Sequence, residues 1–310
     1  MSIEFHRRML ADRVRHEAFR AALKYAIRPG QSTVADIGAG VGVLAFFARQ
    51  LGAREVWLYD PGAALGLAET VAARNGIDGL HFVQARSLDV ESPPLVDVVV
   101  AEVLGNFAYE ENVLETLRDA RRFLKPGGTL IPASIEQWAA PVTADRFERD
   151  LSSWREVGFG IDWSDAERMT RNNMYVYPIE PEDLLPHSAR RWDALDFRGP
   201  IESRRNGRVA WELSSAATVF GFALWWECTL APGVVLSTSP HAPRTHWDQI
   251  YLPLQEAIRA QAGDTVALAL TTETGGGEGG IEVRWSVLQE RRGRLLAEHR
   301  LSIGDGWLAQ

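Results

Sequence analysis

The chain has 310 residues, 46% of them hydrophobic, which is enough to bury the cores of two domains and excludes general disorder. Its formal net charge of −8 argues against a dedicated nucleic-acid-binding protein and favours a cationic substrate. No apolar run reaches the roughly 20 residues of a membrane span, no apolar signal segment is visible at the N-terminus, and no His/Cys cluster has metal-ligand spacing. We therefore expect a cytoplasmic protein with no membrane, nucleic-acid or metal partner.

The first part of the chain alternates short apolar runs with helical periodicity, the pattern of a parallel βαβ sheet. An amphipathic helix is expected over 4–26, within an N-terminal segment, 1–30, that we place over a ligand site. The following α/β domain, 31–134, is predicted to have strands at 33–37, 55–59, 80–84, 96–100 and 129–131, with helices that include 63–75 and 113–124.

The pattern changes in residues 135–310, which we predict to form an antiparallel, β-rich domain. Alternating runs typical of strands occur at 135–138, 210–213, 219–228, 265–270 and 281–288, and the glycine-rich run 275–280 is typical of a hairpin loop. Residues 154–185 form a polar, helix-compatible insertion. It carries apolar side chains with no obvious place in their own domain, namely Trp163, Met169, Met174, Tyr175 and Tyr177. Because such a surface needs a partner, we predict a homodimer.

Glycines follow the first predicted strand, in the run Asp36-Ile37-Gly38-Ala39-Gly40-Val41-Gly42 that leads into a helix. They permit a tight turn and close approach of the backbone to a ligand. Gly42 stands one place earlier than the third glycine of nicotinamide-binding loops, which favours S-adenosylmethionine, a ligand without a pyrophosphate. Asp60, at the end of the second strand, is predicted to take both ribose hydroxyls, and Asp36 the cofactor's ammonium group, directly or through water. The alternatives are a plain strand-to-helix turn and a solvated carboxylate at Asp60.

Two glutamates, Glu102 and Glu111, lie nine residues apart in the loop after the fourth predicted strand. Two carboxylates beside a ligand cleft are costly unless a cation neutralises them, and a guanidinium matches carboxylates in bidentate geometry. Such a pair can bind the N–H groups of an arginine and leave one terminal nitrogen facing a sulfonium methyl group. We therefore predict methyl transfer to a guanidinium. The adjacent Glu110 is expected to be an acid at the N-terminus of the next helix, and the same role is a weaker alternative for Glu111.

Four separate motifs resemble those of the protein arginine methyltransferase family, and the resemblance extends over nearly the whole chain. They are the glycine loop, the double-glutamate loop, the helix motif His6-x-x-Met9-Leu10-x-Asp12-x-x-Arg15, and the triplet Thr245-His246-Trp247, preceded by Ser237-Thr238-Ser239-Pro240. The resemblance implies a Rossmann-like class I methyltransferase domain, followed by a β-barrel-like domain with a helical dimerisation arm at 154–185. It also implies S-adenosylmethionine as the methyl donor and S-adenosylhomocysteine as the product.

The resemblance implies cofactor roles where the residues match. Arg15 would bind the methionine carboxylate and Asp60 the ribose, and Glu102 would also face the cofactor. Leu88 stands where the family usually has a glutamate facing adenine. Adenine recognition is therefore expected from the backbone around Ser87.

The resemblance also implies substrate roles. The two glutamates would hold the guanidinium, with Met9 and Trp247 as the walls of the pocket. Asp12 and His246 would form a pair that helps to relay the released proton, although a packed barrel residue is the alternative for His246. Asn106 stands where many members of the family have a tyrosine, which bears on how the substrate is captured.

Two arginine substrates remain open at this point. The family's tyrosine-bearing segment does not precede His6, and the 310 residues include no accessory protein-binding module, which favours free L-arginine. The product would then be N-omega-methyl-L-arginine, as in the free-arginine methyltransferases of bacterial natural-product pathways such as that of streptozotocin. The alternatives are an arginine in a protein tail and a catalytically silent dimeric scaffold. A scaffold would need neither the paired glutamates nor His246.

Overall fold

The computed structural model describes residues 3–275 and 280–306. Two helices and a parallel sheet with intervening helices come first: α1 (Ile3–Leu10), α2 (Arg13–Ala26), β1 (Thr33–Ile37), α3 (Val43–Gln50), β2 (Glu55–Tyr59), α4 (Ala64–Arg74), β3 (Leu80–Val83), β4 (Val96–Ala101), α5 (Val113–Ala120) and β5 (Leu124–Ile131). The sheet has the order β3-β2-β1-β4-β5. The predicted α/β architecture is confirmed, and β1 and β2 have the predicted bounds.

The order of the parallel sheet reverses between β1 and β4, and this reversal places two loops side by side. From β1 the chain proceeds outwards to β2 and β3, and then returns to β4 on the other side of β1. Every residue of β1 is buried, as is usual for a central parallel strand. The carboxyl ends of β1 and β4 therefore border one crevice, the position at which α/β sheets bind ligands.

The single helix predicted over 4–26 is wrong, because the structure has two helices there. α2 begins after Asp12, which has extended backbone angles (φ −78°, ψ 94°) and whose carboxylate accepts a hydrogen bond from the N–H of Arg15 at 2.9 Å. Aspartate is preferred at this capping position because its side chain satisfies an N–H that has no partner within the helix. His6 from α1 and Arg15 from α2 both reach the crevice.

The remaining elements form two antiparallel sheets, as predicted. They are β6 (Ser134–Val142), α6 (Arg146–Leu151), α7 (Ser164–Arg171), β7 (Tyr175–Tyr177), β8 (Arg190–Asp196), β9 (Arg204–Glu212), β10 (Ala217–Ala231), β11 (Val234–Ser237), β12 (Gln249–Ala260), β13 (Asp264–Thr274), β14 (Ile281–Arg291) and β15 (Arg294–Ser302). One sheet has the order β7-β12-β10-β6-β8, with β11 paired to β10, and the other the order β15-β14-β13-β9. Because β8 lies beside β9 and β12 beside β15, the arrangement is barrel-like.

The glycine-rich run lies between two strands that pair as a hairpin, β13 and β14, whose last pair is Thr274 with Ile281. Residues 276–279 of the predicted hairpin loop lie outside the described residues. In the described ranges, no helix combines the length and the apolar character that crossing a membrane requires.

The apolar side chains that the insertion at 154–185 exposes differ in part from the ones that were predicted. Tyr175 and Tyr177 pack against the barrel core around Phe147 and Tyr251, and Met174 packs against the main core. The prediction that these three side chains lack a place in their own domain is therefore wrong. Most of the large apolar side chains of the insertion that reach the solvent lie just before α7, namely Val157, Phe159, Ile161 and Trp163, and a further one, Val176, lies in β7.

Candidate active site

A pocket of about 150 Å³ opens at the crevice between the glycine loop and the glutamate loop. Most of the predicted site residues line it: Met9, Arg15, Asp36, Gly38, Gly40, Asp60, Glu102, Glu111 and His246. Its lining also includes His6, which the sequence marked only as part of a motif. The predicted site residues that lie outside the lining are Asp12, Gly42, Ser87 and Trp247.

The backbone of the glycine loop determines how closely a ligand can approach. Gly40 has a left-handed conformation (φ 52°), and a Cβ atom there would lie 3.3 Å from the ring of His6, within the pocket. Gly42 has a different contact, because a Cβ atom there would lie 3.0 Å from the side chains of both Ala68 and Phe46. Gly42 thus allows α3 to pack closely against α4, and its part in cofactor binding stays a prediction.

Two carboxylates stabilise the glycine loop. Asp60 accepts the N–H of Gly40 at 2.8 Å with one oxygen and the N–H of Gly62 at 2.7 Å with the other. Asp36 is buried, and one of its oxygens accepts the N–H of Ala45 at 2.9 Å. Its other oxygen is buried without a hydrogen-bond partner among the described residues. Burial raises the pKa of Asp36 to about 7, and a cation bound beside it would favour the charged form.

Arg15 and Glu102 form a buried ion pair in the pocket wall, which the sequence did not predict. Nε of Arg15 donates to Glu102 at 2.8 Å, and Nη2 donates to the same oxygen. The other oxygen of Glu102 accepts the N–H of Leu104 at 3.1 Å. Only 3% and 5% of the two side chains are exposed, so their attraction offsets a large desolvation cost. Nη1 of Arg15 is buried and has no partner in the described part of the chain, which leaves a donor for an anionic ligand.

Glu111 ends the glutamate loop with its side chain at the pocket. Its φ of 58°, and that of Asn112, lie in the left-handed region that residues other than glycine seldom adopt. Although Glu111 is an exposed residue, the partial burial of its carboxylate raises its pKa, and the charges of Glu102 and Glu110 raise it further, to about 7. A bound cation would oppose this shift.

Glu110 does not act as an N-terminal acid of α5, the role expected for it. Its carboxylate turns back into the loop, accepts the N–H of Phe107 at 3.1 Å and lies against Gly105, where a Cβ atom would come within 2.6 Å of Oε2. Burial raises the pKa of Glu110. Of the two adjacent glutamates, Glu110 therefore shapes the loop and Glu111 lines the pocket.

Asp12 joins the N-terminal helices to the barrel loop that carries His246. Besides capping α2, it accepts hydrogen bonds from the backbone N–H and from Nδ1 of His246, each at 2.8 Å. Burial opposes the ionisation of Asp12, but the hydrogen bonds from His246 and Arg15 outweigh it, so the pKa of Asp12 is lowered. The two residues predicted to pair are therefore in contact, with Asp12 behind the pocket and His246 in its lining.

Trp247 anchors the glutamate loop and is not among the residues that line the pocket, so its role as a pocket wall stays a prediction. Its Nε1 donates to the carbonyl of Leu104 at 2.8 Å, and its ring packs against Trp226 with the centroids 5.1 Å apart. Trp226, in β10, donates in the same way to the carbonyl of Gly105 at 3.1 Å. Sequence reasoning missed Trp226, because a tryptophan within an apolar strand resembles any other core residue.

Ser87 is buried in a short 3-10 turn, Ser87–Asp89. Its carbonyl accepts a hydrogen bond from Arg122 at 2.6 Å, and the adjacent Leu88 is 46% exposed. Arg122 thus fixes the backbone of this turn. Because Ser87 does not reach the pocket lining, its role in adenine recognition stays a prediction.

Comparison with known proteins agrees with this geometry. A family model described as the arginine methyltransferase oligomerization subdomain matches residues 134–277, and one described as ribosomal protein L11 methyltransferase matches residues 20–152. Protein arginine N-methyltransferase 6 of Xenopus tropicalis is 33% identical over 321 residues, covering 98% of this chain and 90% of the relative. The chain belongs to the protein arginine N-methyltransferase family.

Other members of the protein arginine N-methyltransferase family agree in sequence and in fold. Protein arginine N-methyltransferase 6 of Xenopus laevis is 33% identical, covering 84% of this chain and 80% of the relative. The Trypanosoma brucei PRMT1 enzyme–prozyme complex with AdoHcy superposes with a TM-score of 0.86 at 23% identity, over 96% of this chain and 98% of that one. Arabidopsis thaliana protein arginine methyltransferase 10 superposes with a TM-score of 0.81 at 22% identity, over 97% and 98%. The resemblance drawn from four motifs is confirmed.

Proposed function

We propose that this member of the family transfers a methyl group from S-adenosylmethionine to a terminal (omega) guanidino nitrogen of an arginine within a polypeptide. The observation that carries the proposal is the presence of Glu102 and Glu111 at one pocket with Arg15 and the glycine loop. The relatives are named as protein arginine N-methyltransferases, which favours arginine in a protein over the free L-arginine expected from the sequence.

The side chains of the pocket fit the polar groups of S-adenosylmethionine. Nη1 of Arg15 would hold the carboxylate of the methionine part, and the unpartnered oxygen of Asp36 its ammonium group, directly or through water. Each oxygen of Asp60 accepts one N–H and keeps a further lone pair for a ribose hydroxyl. When bound, S-adenosylmethionine supplies an electrophilic methyl carbon on its sulfonium.

The two glutamates would prepare the substrate for attack. A guanidinium is a poor nucleophile because its nitrogen lone pairs are delocalised. Glu111 would accept its N–H groups, and Glu102, already paired with Arg15, would add a second negative charge. Together they would localise the positive charge and orient one terminal nitrogen. That nitrogen would then form its bond to the methyl carbon while the carbon–sulfur bond breaks, and the electron pair of the broken bond would stay on sulfur and give S-adenosylhomocysteine.

His246 would take part in removing the proton that the methylated nitrogen loses. Nδ1 of His246 donates to Asp12, so in the neutral ring Nε2 is the acceptor. Asp12 thereby fixes both the tautomer and the orientation of the imidazole. Met9 would pack beside the substrate at the same pocket.

The charges of the pocket support a substrate whose α-groups are in peptide bonds. Free arginine has an α-carboxylate, which needs a cationic partner when it is bound. Among the described residues that line the pocket, the only lysine or arginine is Arg15, and it is paired with Glu102. An arginine inside a polypeptide brings no carboxylate of its own to the site.

Mass spectrometry tests the proposed function. Incubated with S-adenosylmethionine, the protein is expected to methylate a peptide rich in glycine and arginine, and to leave unchanged the same peptide with lysine in place of arginine. Free L-arginine at equal concentration should react more slowly. Faster methylation of free L-arginine would overturn the proposed substrate, and methylation of neither acceptor would overturn the proposed activity.

The raised pKa of Glu111 leads to a prediction about protons. At a pH of about 6 much of Glu111 is neutral, so pairing with a guanidinium requires it to ionise, and peptide binding should release up to one proton. At a pH of about 8.5 Glu111 is already ionised, and the release should disappear. Calorimetry of protein saturated with S-adenosylhomocysteine, in buffers of different ionisation enthalpy, measures this. If proton release persists in the Glu111→Gln variant, the proton comes from another group.

We further propose that two copies pair through the exposed apolar segment before α7, residues 157–163. Phe159 in this segment is 93% exposed. A mainly apolar groove between α1, α3 and α4 offers a surface for it, with Ile3 and Leu67 exposed by 66% and 41%. In a symmetric pair, the segment of each copy would cover the groove of the other. The oligomerization subdomain model matches residues 134–277, which include this segment, and so supports a part for the segment in pairing.

Phe159→Ser is expected to convert a dimer to a monomer at micromolar concentration, because it removes the most exposed large apolar side chain of the segment. Leu295→Ser is the matched control, since Leu295 is also an exposed apolar residue (50%) but lies in β15. Light scattering measures the mass of each. A wild-type protein that is monomeric and active would contradict the proposed dimer.

A further inference from the structure

The end of the glutamate loop that leads to Glu111 is tied to the barrel by a buried network. The hydroxyl of Tyr109 donates to Asp193 at 2.6 Å, and only 1% of Tyr109 is exposed. Asp193 also receives a bidentate contact from Arg205, with Nε at 2.9 Å and Nη2 at 2.6 Å. Burial and the negative charge of Asp193 raise the pKa of Tyr109 well above its ordinary value, so its hydroxyl stays a donor.

Two irregularities in the barrel bring this network together. The pairing of β8 with β6 shifts register between Gln137 and Trp138, whose partners are Asp193 and Arg191, so that Trp192 is an extra, bulged residue. In β9, a Cβ atom at Gly207 would lie 2.2 Å from the carbonyl oxygen of Trp192, so only glycine permits this close approach. The bulge and the glycine thus set Asp193 of β8 against Arg205 of β9.

The backbone that follows Tyr109 needs such support. Glu111 and Asn112 are consecutive residues with φ of 58°, a conformation that costs free energy and persists only where the surroundings hold it. The carboxylate of Glu111 has no hydrogen bond to any residue that the structure describes, so its own side chain does not hold it. The adjacent Glu110 is fixed only within the loop, by its contact with Phe107, and the nearest preceding side chain that ties the loop to the barrel is Tyr109.

We propose that Tyr109, held by Asp193 and Arg205, is a positioning residue for methyl transfer that keeps Glu111 in the conformation that grips the guanidinium. The inference rests on the proposed function of Glu111. It goes beyond that function because residues of β8 and β9, outside the pocket, would help to set the position of Glu111. Tyr109 is buried and absent from the pocket lining, so it would act on the substrate through Glu111.

Tyr109→Phe is the direct test, because it removes only the hydroxyl and leaves Asp193 paired with Arg205. Its kcat on the arginine peptide is expected to fall between about 10-fold and 100-fold, since small misplacements of a catalytic group have effects of this size. The dissociation constant for S-adenosylhomocysteine should stay within about twofold, because the cofactor contacts are unchanged. The control is Tyr251→Phe, which removes another buried hydroxyl, bonded to the carbonyl of Phe220 at 2.9 Å, away from the loop.

Both variants should lose thermal stability, whereas only Tyr109→Phe should lose kcat. Asp193→Asn supplies a second measurement. In the double variant Tyr109→Phe/Asp193→Asn, the loss of kcat, expressed as a free energy, should be smaller than the sum of the two single losses, because both side chains belong to one hydrogen-bonded network. Equal kcat values for Tyr109→Phe and wild type would overturn the inference while leaving the proposed function intact. A wild-type protein that methylates no arginine would instead overturn the proposed function.

Discussion

Glu111→Gln is expected to lower the single-turnover rate of methyl transfer by roughly two to four orders of magnitude, which corresponds to about 3–5 kcal/mol. Glutamine keeps the size of the side chain and one acceptor but removes the charge that the guanidinium would pair with. The affinity for S-adenosylhomocysteine should stay near that of the wild type, because the carboxylates beside the glycine loop are Asp36 and Asp60. Rapid-quench kinetics and calorimetry measure the two effects separately.

Glu110→Gln is the matched control for this loss. The Glu110 carboxylate accepts the N–H of Phe107 inside the loop, and a glutamine oxygen can accept the same hydrogen bond. Its rate should therefore fall by less than about tenfold. Equal losses of rate in Glu110→Gln and Glu111→Gln would show that both side chains face the pocket. A normal rate in Glu111→Gln would exclude a guanidinium-binding role for Glu111.

Arg15→Met is expected to have the second large effect, on both cofactor binding and folding. Loss of a charge-assisted hydrogen bond to the cofactor's carboxylate costs about 1.5–3 kcal/mol, or roughly one to two orders of magnitude in affinity. The substitution also leaves Glu102 buried without its cation, which costs about 3–5 kcal/mol of folding free energy. Calorimetry with S-adenosylhomocysteine and denaturant unfolding measure the two losses.

Arg13→Met separates these effects from a general loss of charge on α2. Arg13 lies one half-turn away, its side chain is 89% exposed, and its contact with Glu17 at 3.7 Å is a surface pair that contributes little. It should leave both cofactor affinity and stability nearly unchanged. If Arg15→Met bound S-adenosylhomocysteine as tightly as Arg13→Met, the proposed cofactor site would be misplaced.

The parallel sheet could be predicted closely because its signal is local. The strands 33–37 and 55–59 are short apolar runs bounded by turn residues, and the structure places β1 and β2 there. The break at Asp12 was not predicted, because the amphipathic periodicity continues across it and the aspartate could be assigned to catalysis alone. In the structure Asp12 has two hydrogen-bonding tasks at once, one in capping α2 and one toward His246.

The candidate site could be predicted residue by residue but not as a network. Arg15 and Glu102 were each assigned a ligand partner, whereas in the folded chain each is first a partner of the other. They are far apart in sequence, and no periodicity connects them. The hydrogen bond from Trp247 to the glutamate loop was not predicted for a similar reason, because it depends on how the barrel packs against that loop. Long-range packing of this kind leaves no local pattern.

The indole groups of Trp226 and Trp247 bind the glutamate loop through main-chain carbonyls, those of Gly105 and Leu104. A carbonyl is present whatever side chain a residue carries. The barrel therefore holds this stretch of the loop without specifying its side chains, and a substitution at Val103 in the pocket lining can alter the shape offered to a substrate while those anchors remain. In an evolving or engineered enzyme, acceptor preference could then change separately from the reaction itself.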